Sequence, residues 1–187
     1  MKWMLLMLLA LPATQSIAQN LGKQYEWVKL APDEMPLKSN NPYYDITVPM
    51  EDDAYTREQL EANANYYFNN VFGTSLVRNE GKHKFSGIGN YSFSVTKSNN
   101  PRDIYTVTYI MDIATKNGKY VMTMHDFKLT HLDLEVSVPK RLEAAEKDDM
   151  LSKQIITGMH RSNLSELRKA YTTMLKKDAG NEATASK

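Results

Sequence analysis

No cysteine occurs among the 187 residues, so neither disulfide staples nor thiol chemistry belongs to this protein. The same absence removes the lipid-anchored form of an exported bacterial protein, which needs a cysteine directly behind its cleavage site; Gln19 stands there instead. Charge of one sign is lacking too. The 23 Lys and Arg face 22 Asp and Glu, and the two signs interleave, as at Lys140-Arg141 against Glu143 and Glu146. A nucleic-acid binder needs a dense cationic face to displace counterions, so nucleic acid is not expected as a partner. Long apolar runs are missing: Trp3 to Leu11 falls short of the roughly 20 residues that cross a bilayer, and no direct membrane anchor is expected. Glycine is sparse, eight residues in all. Gly87-Ile88-Gly89 lacks the third glycine and the following helix of a dinucleotide loop, and no Gly-x-Ser-x-Gly elbow occurs.

What is present begins with an address. Lys2, the apolar run behind it and the small residues Ser16 and Ala18 make the pattern of a secretory signal peptide. The sequence therefore divides into a leader over 1–18, an arm and linker over 19–42 carrying Trp27 and broken by Pro32, Pro36 and Pro42, one α+β domain over 43–178, and a polar tail over 179–187 expected to be disordered. Without its leader the chain has 22 residues of each charge, and localisation to the periplasm or the medium is expected. A domain of this length buries about 70% of its unfolded surface, enough for a true core.

Within the domain, Tyr43 to Val48 reads as a strand stopped by Pro49, and Glu51, Asp52 and Asp53 lead into Thr56-x-x-Gln59, a capping box. The helix it opens carries Leu60, Ala64, Tyr67, Phe68 and Val71 on one face and ends near Gly73. The period then becomes twofold. Phe85, Gly87, Gly89, Tyr91, Phe93 and Val95 occupy odd positions with polar residues between them, and only Ile88 violates the pattern. After an Asn99-Asn100-Pro101 turn, Tyr105, Val107, Tyr109, Met111 and Ile113 line one face, and Asn117-Gly118 marks a two-residue hairpin.

That turn predicts a register: Ile113 with Met122, Met111 with Met124 and Tyr109 with Asp126 on one face, and Ala114 with Val121, Ile110 with His125, Thr108 with Phe127 and Thr106 with Leu129 on the other. Further on, Leu134 to Val136 ends the sheet and Pro139 starts a helical segment. Glu143 with Lys147 and Asp149 with Lys153 are expected i,i+4 pairs, Gly158 is a break, and a final helix from Ser162 or Asn163 carries Leu164, Leu167, Tyr171, Met174 and Leu175.

The order of elements and the motifs Gly87-Ile88-Gly89-Asn90-Tyr91, Lys116-Asn117-Gly118-Lys119-Tyr120 and Asp126-Phe127 carry a resemblance. The stretch from Tyr43 to Leu129 resembles an exported bacterial domain-of-unknown-function family with a TATA-binding-protein-like fold. The resemblance implies a curved antiparallel sheet with two main helices on one face, in β-α-β4-α order; Asp133 to Gly158 departs from the family pattern and reads as an extra helical segment before the last helix. It brings no catalytic residues, and its fold label says nothing about DNA.

Candidate chemistry is thin. Six residues of strand separate His125 from His131 by roughly 20 Å, too far for a shared metal, and His83 and His160 read as lying near turns without partners. The Gly87/Gly89 pair reads as relief where a helix crosses a curved strand, and Met111 with Met124 as core filler. One surface has functional colour: the second sheet face, bearing Ile110, Val121, His125, Phe127 and Leu129. Left open, such a face takes a hydrophobic ligand, an envelope protein or a second copy of the chain; otherwise the Trp27 arm or the 139–157 segment covers it. The reading is a non-catalytic binding or assembly module of the cell envelope, without cofactor or metal. Its rivals are a small periplasmic hydrolase, which would need clustered His, Asp and Ser in a closed pocket, and a structural subunit of an envelope complex.

Overall fold

The computed structural model describes residues 35–49, 55–72, 76–79, 83–96, 103–116 and 118–175. The expected leader, Trp27, the acidic run Glu51 to Asp53, Gly73, the expected turn at Asn99-Asn100-Pro101, Asn117 and the polar tail lie outside the described residues. A small hairpin of β1 (Leu37–Lys38) and β2 (Asn41–Pro42) precedes the main sheet. The sheet contains β3 (Tyr44–Pro49), β4 (Leu76–Asn79), β5 (Lys84–Val95), β6 (Asp103–Lys116), β7 (Lys119–His131) and β8 (Leu134–Val136). Its order is β3-β7-β6-β5-β4, all antiparallel, and β8 joins the far end of β7. Among the described residues, three α-helices, α1 (Arg57–Tyr66), α2 (Val138–Glu146) and α3 (Met150–Met174), complete the α+β architecture.

The capping box forms as expected: Gln59 N–H donates to Thr56 Oγ1 at 3.2 Å, and Thr56 N–H donates to Gln59 Oε1 at 3.0 Å. Leu60, Ala64, Tyr67 and Phe68 are buried, but Val71 is exposed. The reason is a π turn over Tyr67–Val71, which adds a residue to the turn and rotates the residues beyond it by ~100°. Phe72 takes the place expected of Val71, its ring 5.2 Å from Phe68 and 5.9 Å from Tyr109. This helix crosses β5 at Gly87, where a Cβ would sit 2.7 Å from Phe72 and 2.8 Å from Phe68; the glycine is there for closeness.

No break occurs at Gly158, since α3 runs through it for 25 residues. Glycine costs a helix about 1 kcal/mol against alanine, and here packing outweighs that cost: a Cβ at 158 would lie 2.6 Å from the Phe93 ring. The start of α3 also differs. Asp149 is its N-cap, accepting from Ser152 N–H at 2.9 Å, and Lys153 pairs with Asp148 at 2.5 Å in place of the expected Asp149. The Glu143–Lys147 pair is present at 2.6 Å. From the expected final stripe, Leu167, Tyr171 and Met174 are buried.

The β6–β7 register follows the prediction from Lys116↔Lys119 to Ile110↔His125 and then departs from it. Thr108 pairs with Lys128, Val107 with Leu129, Thr106 with Thr130 and Tyr105 with His131, so Asp126 and Phe127 together oppose Tyr109. This is a β-bulge. Asp126 supplies its kink with φ +54°, a left-handed conformation that Asp tolerates better than most residues. One extra residue reverses the facing of everything beyond it. The core therefore comprises Tyr105, Val107, Tyr109, Met111 and Ile113 from β6 with Tyr120, Met122, Met124 and Leu129 from β7, beneath Leu60, Phe68, Ile155, Met159 and Leu167.

Candidate functional site

The bulge splits the surface expected to be functional. Leu129, expected on the second face, is fully buried in the core opposite Val107. Phe127 is half-buried: its ring lies edge-on to Tyr44 at 5.9 Å and stacked with Tyr109 at 6.0 Å, and the residue still lines the groove on the second face. Ile110, Val121 and His125 precede the bulge and stay on the second face.

What the sheet builds there is a row, Ile88 on β5 opposite Ile110 on β6 opposite His125 on β7. Ile88 is 59% exposed, so the one residue that broke the alternation of β5 contributes apolar surface to this face. These side chains floor an open groove of about 760 Å³. Its sides come from the β1–β2 hairpin, through Lys38, Asn41 and Pro42, and from Tyr43, Asp126, Lys128 and Glu135. Part of the linker assigned to 19–42 thus hems the face, while the 139–157 segment folds elsewhere: α2 lies against α3, tied by Arg141 Nη1 donating to Ser152 Oγ at 3.3 Å. Val121 lines a smaller adjoining hollow of about 340 Å³ with Lys84, Asp112, Thr123 and His125.

Between groove and hollow lies a polar chain. The buried Asp112 carboxylate accepts from Ser86 Oγ and pairs with Lys84, and His125 Nε2 lies 3.2 Å from its Oδ2. On the other side of the ring, His125 Nδ1 is 3.0 Å from Asp126 Oδ2. Burial pushes the Asp112 carboxyl up, but hydrogen bonds from Lys84, Ser86 and His125, with the charge of Lys84, outweigh it and hold the group below the ordinary aspartate value. Serine, histidine and aspartate do meet here, yet in an order unlike a hydrolase triad. Ser86 and His125 both end on the same carboxylate, so the hydroxyl is not hydrogen-bonded to the imidazole that would have to take its proton.

A second polar cluster lies under the sheet. His160, expected near a turn, is buried in the middle of α3 with Nδ1 2.7 Å from Tyr44 Oη. Asn163 Nδ2 donates to the same phenol at 3.1 Å and Asn163 Oδ1 accepts from Tyr91, while Tyr109 donates to Glu166 at 3.2 Å. Burial pushes the Tyr44, Tyr91 and Tyr109 phenols far above the ordinary tyrosine value. They therefore remain neutral donors, satisfying buried polar atoms between the layers. Among the described residues no three His, Asp or Glu side chains gather as metal ligands, and no helix is long and apolar enough to cross a membrane.

Most of the groove lay beyond sequence reasoning. Ile88 had a signal, its violation of the alternation; Lys84 and Asp112 come together only through cross-strand pairing, and Lys38 and Tyr43 through the path of the linker.

Comparison with known proteins agrees with this architecture. Residues 44–130 match a domain of unknown function (DUF4468) with TBP-like fold. Among solved structures, the chain is similar to a TBP-like protein from Parabacteroides distasonis, with TM-score 0.61 and 10% identity over 75% of this chain and 96% of that one. It is also similar to a DUF4468 family protein from Bacteroides ovatus, with TM-score 0.57 and 11% identity over 76% and 91% of the two chains. At such identities the likeness is one of fold. No curated protein matches the chain.

Proposed function

We propose that this protein, whose residues 44–130 match the model of a domain of unknown function (DUF4468) with TBP-like fold, is a non-catalytic binding module that works through the groove on the open face of its sheet. The observation that carries the reading is the pair Ile88 and Ile110, set side by side on the floor of a groove of about 760 Å³ whose sides carry the polar groups of Lys38, Asn41, Asp126, Lys128 and Glu135. An apolar floor with a few oriented polar groups, in a hollow of roughly 300 to 1,000 Å³, is the usual form of a small-molecule or peptide site. The occupant is an apolar ligand or an apolar side chain of an envelope protein. Export of the module is part of the proposal and rests on Lys2, the run from Trp3 to Leu11 and the small residues before Gln19.

Titration with the fluorescent apolar probe anilinonaphthalene sulfonate tests the groove. The wild-type protein should bind it saturably, and the double variant Ile88→Asp, Ile110→Asp should bind at least about tenfold more weakly, a loss of about 1.4 kcal/mol, with an unchanged circular dichroism spectrum. Equal binding by the two proteins, or none by either, would remove the basis for the reading. Sedimentation of both proteins asks whether a second copy is the occupant instead.

A further inference from the structure

The groove and the bulge share one residue pair, His125 and Asp126. Both ring nitrogens of His125 face carboxylates, Nε2 toward Asp112 at 3.2 Å and Nδ1 toward Asp126 at 3.0 Å. Nε2 and Asp112 are hydrogen-bonded, whereas Nδ1 and Asp126 form an ion pair; an ionised carboxylate only accepts, so both contacts are favourable together only when both nitrogens carry protons, that is, in the imidazolium form. A neutral imidazole has one N–H, and one of the two contacts then sets a lone pair against a carboxylate oxygen. The two carboxylates are unequal. The Asp112 side chain is 11% exposed and held by Lys84 and Ser86, whereas that of Asp126 is 69% exposed. Water replaces a lost partner cheaply at Asp126 and poorly at Asp112, so the neutral ring keeps its proton on the Asp112 side and releases Asp126.

Asp126 is also the residue whose left-handed backbone makes the bulge; Asp126 and Phe127 both line the groove there, while Leu129 beyond them turns into the core. We propose that His125 is a proton-operated latch: its imidazolium ties Asp126 to the Asp112 anchor and holds the groove side in the form described, and loss of the proton lets that side loosen. Asp112 on β6 and Lys84 on β5 face the ring across the sheet, and Asp126 faces it on its own strand. From ahead of β3 comes Tyr43, its ring 6.3 Å away, while Lys38, Lys128 and Glu135 stand around the groove. Lys84 is taken up by Asp112, so Asp126 is the group whose pairing depends on the proton. That the latch governs occupancy rests on the binding reading above; the latch itself does not.

Nuclear magnetic resonance on the full chain tests it. The His125 ring resonance, assigned with His125→Gln, is followed from about pH 5 to about pH 8 together with the backbone amides of Asp126 and Phe127. The expected result is that both amides move with the midpoint of the His125 ring. In Asp126→Asn, whose side chain keeps the left-handed tolerance but not the charge, the coupled shift should shrink severalfold while His125 still titrates. Amides that stay fixed while His125 titrates, or coupled shifts undiminished in Asp126→Asn, would overturn the latch. Probe binding recorded at both ends of the range separates the two ideas: a probe that never binds counts against the groove alone, and fixed amides count against the latch alone.

Discussion

Truncating Leu129 to alanine separates the bulged ladder from the uninterrupted one by a wide margin. Leu129 is fully buried opposite Val107. Removing three carbons from water-free surroundings forfeits about 2 to 2.5 kcal/mol of transfer free energy, and the cavity that Val107, Tyr105 and the helices fail to fill raises the loss to about 3 to 4 kcal/mol. In an uninterrupted ladder Leu129 would stand beside Thr106 on the groove face, and its truncation would cost less than about 1 kcal/mol, as expected for Ile88→Ala at a site 59% exposed. Urea unfolding followed by circular dichroism reads the difference. With a slope of about 2 kcal/mol per molar, Leu129→Ala should lower the midpoint by about 1.5 to 2 M and Ile88→Ala by less than about 0.5 M. Equal, small shifts in the two variants would refute the bulged register and return Leu129 to the open face.

Alanine at Gly158 should destabilise the protein by about 1 to 3 kcal/mol in thermal melts despite its better helix propensity, because its Cβ meets the Phe93 ring at 2.6 Å; in a Phe93→Leu background the same substitution should cost much less, and an equal cost in both would show that the ring is not the obstacle. For Asp112, whose carboxyl is held below its ordinary value of 3.8 in the folded state, the linked stability is fully present above that value and is lost as pH falls through the lower folded value. Asp112→Asn should therefore flatten the decline in urea midpoint below about pH 4, and a decline as steep as that of the wild type would assign it to other carboxylates.

Where local chemistry and global fold agree, the sequence was legible. Thr56 and Gln59 cap a helix by themselves, and the Asn-Gly turn sets the register for as long as nothing interrupts it. Within the second strand of that hairpin, at Asp126, something does. Thr123, His125, Phe127 and Leu129 share odd positions and read as one face, yet the apolar residues change parity within the strand, even through Tyr120, Met122 and Met124 and odd at Phe127 and Leu129. That change of parity marks an inserted residue, and it was the available sign of the bulge. Gly158 misled for the opposite reason, since its cause is the ring of Phe93, far away in the chain, and no local rule sees it. The Asp112 cluster was invisible on the same grounds: its members sit on three strands and meet only through cross-strand pairing.

The polar contacts between sheet and α3 converge on two turns of that helix, from Met159 to Glu166, where Tyr44, Tyr91 and Tyr109 arrive from three different strands. Away from that stretch, Asn63 reaches the Met174 carbonyl and Tyr55 the Leu175 carbonyl at one end, and Arg141 reaches Ser152 near the other. Backbone amides in the middle of the helix can then exchange with deuterated solvent only when the layers separate as a whole, whereas those at the ends exchange by fraying. The slowest amides of α3 thus report global stability directly, a native-state measure, independent of any activity, of what a ligand, proton or substitution does to the protein.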